Sequence, residues 1–481
     1  MNANKRVFFF VLLSLILYLL ASYLTLAYKK SWSPFDRVNL LSEIVPNQTA
    51  GNSGHGAHKP IELPPDIDPA DTLLANSLAA DTDTVSKVTV IDTTPTVKPK
   101  KVVPLVPLAE NLKSKDILFF AADSTQAALA RFAEKLAALK AGEKRKVRIA
   151  YLGDSMIEGD LLSQTLRSLM QEMYGGKGVG FIPITSQVAQ FRRTATSTFS
   201  SGWKDINFKN TKQKNLFLSG HVFYSSGEDW VKIRDNTTRD TTNLGKYIFY
   251  GVSNDSSVVL ANKQRFPLKG KALFNRERLL NDKSRSITLS TNDKSLPIYG
   301  VSFESESGVI IDNFSFRGIS GLEFARINPE LLKAIDEHNP YDLVIFQFGV
   351  NVLYNPDETN FNWYKRAAIP VVDKMKRCFT KADFLIVGTG DRAFRYPEGY
   401  QSAVGIEELI KVQAALASQT SSAFYSLYSV MGGKNSMVDW ATRSPSLANK
   451  DYVHPNALGA RILGKHLFEA INKDVHKLEA Q

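Results

Sequence analysis

Residues 146–155 read KVRIAYLGDS, a short apolar and β-branched run that breaks at Gly153-Asp154-Ser155, and residues 161–176, LLSQTLRSLMQEMYGG, follow with apolar side chains at helical spacing. A strand, a tight turn and an amphipathic helix in that order place a serine hydroxyl where a sheet ends, beside the N–H groups and positive dipole of a helix start. By itself the tripeptide reads as a turn, because Gly, Asp and Ser are ordinary turn residues.

Outward from this unit the same rhythm recurs. A helix is expected over residues 123–142, another over 328–340 (NPELLKAIDEHNP), and a buried strand over 341–351 (YDLVIFQFGVN). A strand at 381–391, a helix at 406–419, a strand at 421–430 and a closing helix over 455–473 complete the series. Strands alternating with helices predict an α/β fold with a doubly wound parallel sheet whose ligands sit beyond the carboxyl ends of its strands. Residues 185–303 differ: short alternating stretches such as YIFYGVS (247–253), RSITLST (285–291) and PIYGVSFES (297–305) lie between Asn, Asp, Gly and Ser clusters, which predicts an inserted β-rich domain. The α/β body is then split into residues 108–184 and 304–481. Within the insert, Trp203, Tyr224, Trp230, Tyr247 and Tyr250 have two readings, sugar stacking and core packing, of which packing is the simpler.

The N-terminal part is of another kind. Residues 7–28, VFFFVLLSLILYLLASYLTLAY, carry no charge and would rise about 33 Å as a helix, enough to cross a bilayer core. The run exceeds the apolar core of about 7 to 15 residues found in a signal peptide. A retained single-pass anchor is expected, with residues 1–6 as a cytoplasmic tail and the body in the periplasm, outside the inner membrane. Residues 29–107, including PNQTAGNSGHGAHKP (46–60), are too polar to offset the entropy of ordering and predict a tether; His55 and His58 in it read as solvated residues rather than a metal site.

A formal net charge of +11 arises from Lys and Arg scattered among Asp and Glu, so it carries no nucleic-acid signature and implies only attraction to anionic surfaces or polymers. The single cysteine, Cys378, excludes an intramolecular disulfide and a cysteine-based zinc site, and its Lys-Arg-Cys-Phe setting reads as inert.

Far downstream, Asp451-Tyr452-Val453-His454-Pro455-Asn456 precedes the last helix. A carboxylate three residues before a histidine can hold one ring nitrogen within a single turn and leave the other to deprotonate a serine; Pro455 suits a first helical position. Two loops offer donors for an oxyanion, Arg317-Gly318-Ile319-Ser320-Gly321 and Phe348-Gly349-Val350-Asn351, although each also reads as a turn. Glu158 and Asp160, close to Ser155, read as charges stabilising a helix N-terminus.

The order Gly-Asp-Ser, Gly loop, Gly-x-Asn and Asp-x-x-His resembles the SGNH (GDSL-like) hydrolase family over about residues 145–185 and 308–472. That resemblance implies a flavodoxin-like three-layer sandwich with Ser155 as nucleophile, His454 as general base and Asp451 as its orienting acid. It also implies an oxyanion hole from the N–H groups of Ser155 and Gly321 and the side chain of Asn351, with Gly318 the lesser choice for the glycine. Met156 stands where the family name has leucine, and Val352 where many members have Asp. The segments GDSMIEGDLLSQTLRSLMQE (153–172), GGKGVGFIP (175–183) and YGVSFESESGVIIDNFSFRGISG (299–321) are similar to the branch of peptidoglycan O-acetyl esterases, which carry a β domain between the first two blocks. The activity so implied is removal of O-acetyl groups from an envelope glycan, without metal or organic cofactor. An O-acetyltransferase using the same triad and a non-catalytic glycan-binding protein are the alternatives.

Overall fold

The computed structural model describes residues 113–120 and 126–479, all of them within the compact unit Pro64–Gln481. The expected span at residues 7–28, the tether at 29–107 and His55 and His58 lie outside the described residues. Among the described residues, no helix is long and apolar enough to cross a membrane.

The strands are β1 (Lys146–Gly153), β2 (Gly180–Ile182), β3 (Ala195–Phe199), β4 (Lys204–Asn207), β5 (His221–Tyr224), β6 (Asp229–Asp235), β7 (Leu244–Tyr250), β8 (Val258–Ala261), β9 (Gln264–Pro267), β10 (Asn275–Asp282), β11 (Ser286–Thr291), β12 (Ile298–Glu304), β13 (Gly308–Ser315), β14 (Leu343–Gln347), β15 (Asp383–Gly388), β16 (Ala393–Tyr396), β17 (Gly399–Ser402) and β18 (Ala423–Ser426). The helices are α1 (Ala130–Lys140), α2 (Ser163–Tyr174), α3 (Pro329–His338), α4 (Asn362–Cys378), α5 (Ile406–Gln419), α6 (Leu427–Met431), α7 (Ser436–Thr442) and α8 (Ala457–Glu479).

The central sheet runs β13-β1-β14-β15-β18, with all neighbours parallel. Its second strand in chain order, β13, lies on one side of β1 and its third, β14, on the other, so the order reverses at β1 and a crevice opens at the carboxyl ends there. The expected doubly wound sheet is therefore present. Side chains of β1 alternate across it: Val147, Ile149 and Tyr151 pack with Phe132 of α1, Leu166 of α2 and Leu463 of α8, while Ala150 and Leu152 face Leu331 of α3, Val371 of α4 and Leu409 of α5. Helices thus cover both faces, which is why most side chains of the parallel strands are apolar.

The β-rich insert is a pair of packed sheets, β10-β7-β12-β5-β4 and β3-β6-β11-β8-β9. Along β7, Leu244, Ile248 and Tyr250 enter the core between the sheets with Val231 and Leu289, whereas Tyr247 and Phe249 join the core of the α/β body. Trp203, Tyr247 and Tyr250 are buried, Tyr224 is half-buried, and Trp230 is 42% exposed. Strand β2 pairs with β12, so the insert's sheet reaches from Gly180 to Glu304, slightly beyond the expected limits of 185 and 303; its three residues are too few to show alternation in the sequence.

A buried ionic junction joins insert to body. Glu304 of β12 accepts hydrogen bonds from Arg148 (3.1 Å to Oε1), Lys146 (3.0 Å) and Arg276 (2.7 Å), and from the Ser302 hydroxyl at 2.8 Å. Burial alone would raise its pKa, but Arg148 and Arg276 outweigh burial and hold the carboxyl below the usual carboxylate range. Removing one partner from such a buried group costs about 3–5 kcal/mol.

Several boundaries differ from expectation, two of them for clear local reasons. The strand predicted over 421–430 stops at Ser426, whose hydroxyl accepts the Ser429 N–H at 3.2 Å and starts α6. The last helix begins at Ala457 rather than at Pro455, because the Asn456 side chain caps it, accepting from the N–H groups of Leu458 (2.9 Å) and Gly459 (3.2 Å).

Candidate active site

Gly153 ends β1 where only a glycine fits: a Cβ there would stand 2.8 Å from Ile157 side-chain atoms and 3.1 Å from the Gln347 carbonyl oxygen. The chain then turns, the Ile157 N–H reaching the Asp154 carbonyl at 3.3 Å, and Ser155 projects at the carboxyl edge of the sheet. The turn is tied from behind by Asn313 of β13, whose amide donates to the Ile157 carbonyl (2.9 Å) and to Asp160 (3.2 Å). Asp160 does more than the helix-end charge expected of it: wholly buried, it accepts from Arg167 at 2.6 Å and from the hydroxyl of Thr194, in the insert, at 2.6 Å. Burial opposes its ionisation, yet Arg167 and Arg192 hold its carboxyl below the usual range. Glu158 pairs with Arg317 at 2.6 Å instead of capping the helix.

Ser155 Oγ lies 2.8 Å from His454 Nε2, and His454 Nδ1 lies 2.8 Å from Asp451 Oδ2. The other carboxylate oxygen of Asp451 accepts the N–H groups of Val453 (2.9 Å) and His454 (3.0 Å), so one short turn fixes both backbone and ring. Burial would push the Asp451 carboxyl up, but the bonds from the His454 ring and from the two backbone N–H groups bring it down to about 2. The turn is buttressed by the β16–β17 hairpin: the Ala393 N–H donates to the Tyr452 carbonyl at 3.0 Å, and the Tyr400 and Tyr452 rings stack with centroids 3.8 Å apart. Tyr452 itself has φ 57°.

Two of the three expected oxyanion donors, Asn351 and Gly321, are engaged within the chain. Asn351 Nδ2 donates to the Ile319 carbonyl at 2.8 Å and approaches Asp154 Oδ2 at 3.4 Å. The Gly321 N–H donates to Glu323 Oε2 at 3.0 Å, as does the Ser320 N–H at 3.2 Å. Gly321 has φ 91°, and a Cβ there would meet Phe346 at 2.6 Å and Phe348 at 2.7 Å, so the position is closed to other residues. Gly318 also adopts a positive φ, 78°.

Three further groups border the site without having been singled out in the sequence. Asp154 is buried, and burial pushes its carboxyl up to about 7. Arg392 donates to the Val350 carbonyl, and burial lowers its guanidinium to about 10 despite the nearby Asp451 and Asp154. Glu323 is the third. Asp154 sits inside the quoted tripeptide and Glu323 two residues past Gly321, so spacing offered a signal for both; Arg392 is brought near only by the fold. Cys378, expected to be inert, is buried, and burial pushes its thiol up. Among the described residues, no group of three or more His, Cys, Asp or Glu side chains could hold a metal ion.

This sheet order, with a serine after its first strand and an Asp-His turn before its last helix, is the SGNH hydrolase fold. A solved structure of a peptidoglycan O-acetylesterase superposes with a TM-score of 0.63 at 19% identity, covering 74% of this chain and 99% of that one. An acetylxylan esterase from Geobacillus stearothermophilus matches at 18% identity over 34% of this chain and 74% of its own, with a TM-score of 0.25. A family two carbohydrate esterase from Cellvibrio japonicus matches at 8% over 59% and 99%, with a TM-score of 0.26; scores this low carry no argument. No family model matches the sequence, and no curated protein does.

Proposed function

We propose that the chain is a serine esterase that removes O-acetyl groups from a carbohydrate, with the peptidoglycan of the cell envelope as its polymer. The observation that carries this reading is the Ser155–His454–Asp451 relay, with both links at 2.8 Å, at the carboxyl edge of a doubly wound sheet. The fold shared with a peptidoglycan O-acetylesterase supports the choice of glycan, and the anchor expected at residues 7–28 would keep the enzyme beside such a polymer.

In the proposed mechanism the proton of Ser155 Oγ passes to His454 Nε2 as the oxygen bonds to the acetyl carbonyl carbon. His454 then returns the proton to the departing sugar oxygen, leaving an acetyl ester on Ser155. Water, deprotonated by the same ring, releases acetate. Asp451 holds Nδ1–H throughout, keeping Nε2 as the acceptor and stabilising the imidazolium. Charge on the carbonyl oxygen falls to the N–H groups of Ser155 and Gly321 and to Asn351, and the last two must exchange internal bonds for it.

The test is acetate release by the full-length chain from O-acetylated peptidoglycan and from p-nitrophenyl acetate. Ser155→Ala is expected to abolish both. Release that persists in the variant, or none from the unaltered chain, refutes the esterase reading; acetate moved to a sugar hydroxyl in place of water would make it an O-acetyltransferase.

A further inference from the structure

Beside the triad, and not lined by it, a cleft of about 170 Å³ lies between the loop after Ser155, the end of β13 and the β4–β5 edge of the insert. It begins at Glu158, three residues past the nucleophile, and takes in Ser315, whose Cα pairs with that of Gly153 in the sheet. Its far wall belongs to the insert: Asn207, Ser219 and His221.

Two features of that wall point to a ligand. Ser219 is only 3% exposed, yet its hydroxyl has no hydrogen-bond partner among the described residues. A buried hydroxyl left unsatisfied is unfavourable, and a partner entering the cleft would relieve it. His221 is the second feature. Its Nδ1 is 2.8 Å from Asp205 Oδ1, and its ring stacks on Phe223 at 7° and packs on Phe316 at 4.8 Å between centroids. The ring is thus fixed with Nδ1 engaged, which leaves Nε2 as the atom for a ligand.

The charge of the lining selects the ligand class. Glu158, Asp160 and Asp205 are matched in number by Arg192, Lys209 and Arg317, and Glu158 and Asp160 are joined to Arg317 and Arg192 directly. The wall therefore presents hydroxyl, amide and imidazole groups beside the Phe316 ring, a set suited to the hydroxyls, acetamido groups and apolar faces of sugars rather than to an ion.

We propose that this cleft is a saccharide subsite, holding the glycan unit that adjoins the one whose ester meets Ser155, with Ser219, Asn207 and His221 as its hydrogen-bonding groups. The placement beside an acetylated unit rests on the esterase reading of Ser155. The insert's rigid junction with the body through Glu304 and Asp160 is then what keeps the subsite in register with the nucleophile.

The test uses the full-length chain carrying Ser155→Ala, titrated calorimetrically with a tetrasaccharide of alternating N-acetylglucosamine and N-acetylmuramic acid. Adding Asn207→Ala, His221→Ala or Ser219→Val is expected to weaken binding about tenfold or more. No binding by the Ser155→Ala chain, or binding that all three substitutions leave intact, overturns the proposal. Should Ser219→Val fail to fold, Asn207→Ala on edge strand β4 decides. With Ser155 restored, the same substitutions should lower the ratio of peptidoglycan to p-nitrophenyl acetate turnover about tenfold, and an unchanged ratio overturns the placement. Acetate release independent of Ser155 would sink the esterase reading alone, because calorimetric binding needs no catalysis.

Discussion

Ser155 and His454 stand 2.8 Å apart with Asp451 2.8 Å behind the ring, whereas two of the three groups expected to receive the oxyanion are turned to partners in the chain: Gly321 to Glu323, and Asn351 to Ile319 and Asp154. Of the proposed site, the proton-transfer half is assembled, and two donors of the charge-stabilising half are held in internal bonds. Donors already aimed at developing charge stabilise it without reorganisation. In the proposed mechanism part of that stabilisation would be offset by breaking the bonds to Glu323 and Ile319, so the two halves should respond differently to mutation.

The largest expected effect falls on the assembled half. Asp451→Asn preserves shape but removes the acceptor for Nδ1–H, and kcat for p-nitrophenyl acetate should fall roughly a thousandfold to ten-thousandfold. A loss below tenfold would show that the ring is held by its surroundings and not by Asp451. On the other half, Asn351→Ala should cost about a hundredfold to a thousandfold in kcat with KM little changed, the mark of a contact made in the transition state. A rise in KM alone would instead make Asn351 a loop tether, which its bond to the Ile319 carbonyl also allows.

The same division explains what could be read in the sequence. The Asp451–His454 turn is a three-residue spacing and the Ser155 turn a strand-to-helix break, both local patterns, and the structure brings the two together as expected across 299 positions of chain. Four of the five parallel strands, β1, β14, β15 and β18, were legible because burial on both faces makes each a largely apolar run, whereas β13 carries Asp312 and Asn313. Asp160 was not: its partners Arg167, Asn313 and Thr194 come from a helix, a strand and the insert, and no spacing links them. The Glu304 junction was hidden for the same reason, since its meaning depends on which strands become neighbours, and β2 because its three residues are too few to show alternation. The fit of Asn456 as helix cap in place of Pro455 is a smaller case, in which a side-chain oxygen sets the start.

Two smaller effects sharpen the comparison. If Gly321 is the glycine donor, Glu323 competes with the oxyanion for its N–H, and Glu323→Ala should raise kcat/KM about threefold to tenfold, somewhat less than the roughly 1.5–3 kcal/mol of a hydrogen bond to a charged group. An unchanged or lower value would move that role to Gly318 and leave Glu323 as the clasp of the loop.

Asp154 offers the finest probe, because it touches both halves: it approaches the Asn351 amide and lies in the field of His454. Burial raises its carboxyl to about 7 from an ordinary value of 3.8, so between those pH values the folded chain holds a proton that the unfolded chain has released. Stability should therefore decline as pH rises through that window, the reverse of a salt-bridged carboxylate. Asp154→Asn removes the titrating group, and its melting temperature plotted against pH should lose this downward component relative to the unaltered chain. Asp451 works in the opposite sense, its contribution present above the unfolded value and fading as pH falls toward about 2, so the two windows separate. Parallel melting curves for Asp154→Asn and the unaltered chain between pH 4 and 7 would mean that Asp154 is ionised in the folded protein, and that the Asn351 amide is held by charge rather than by a neutral acid.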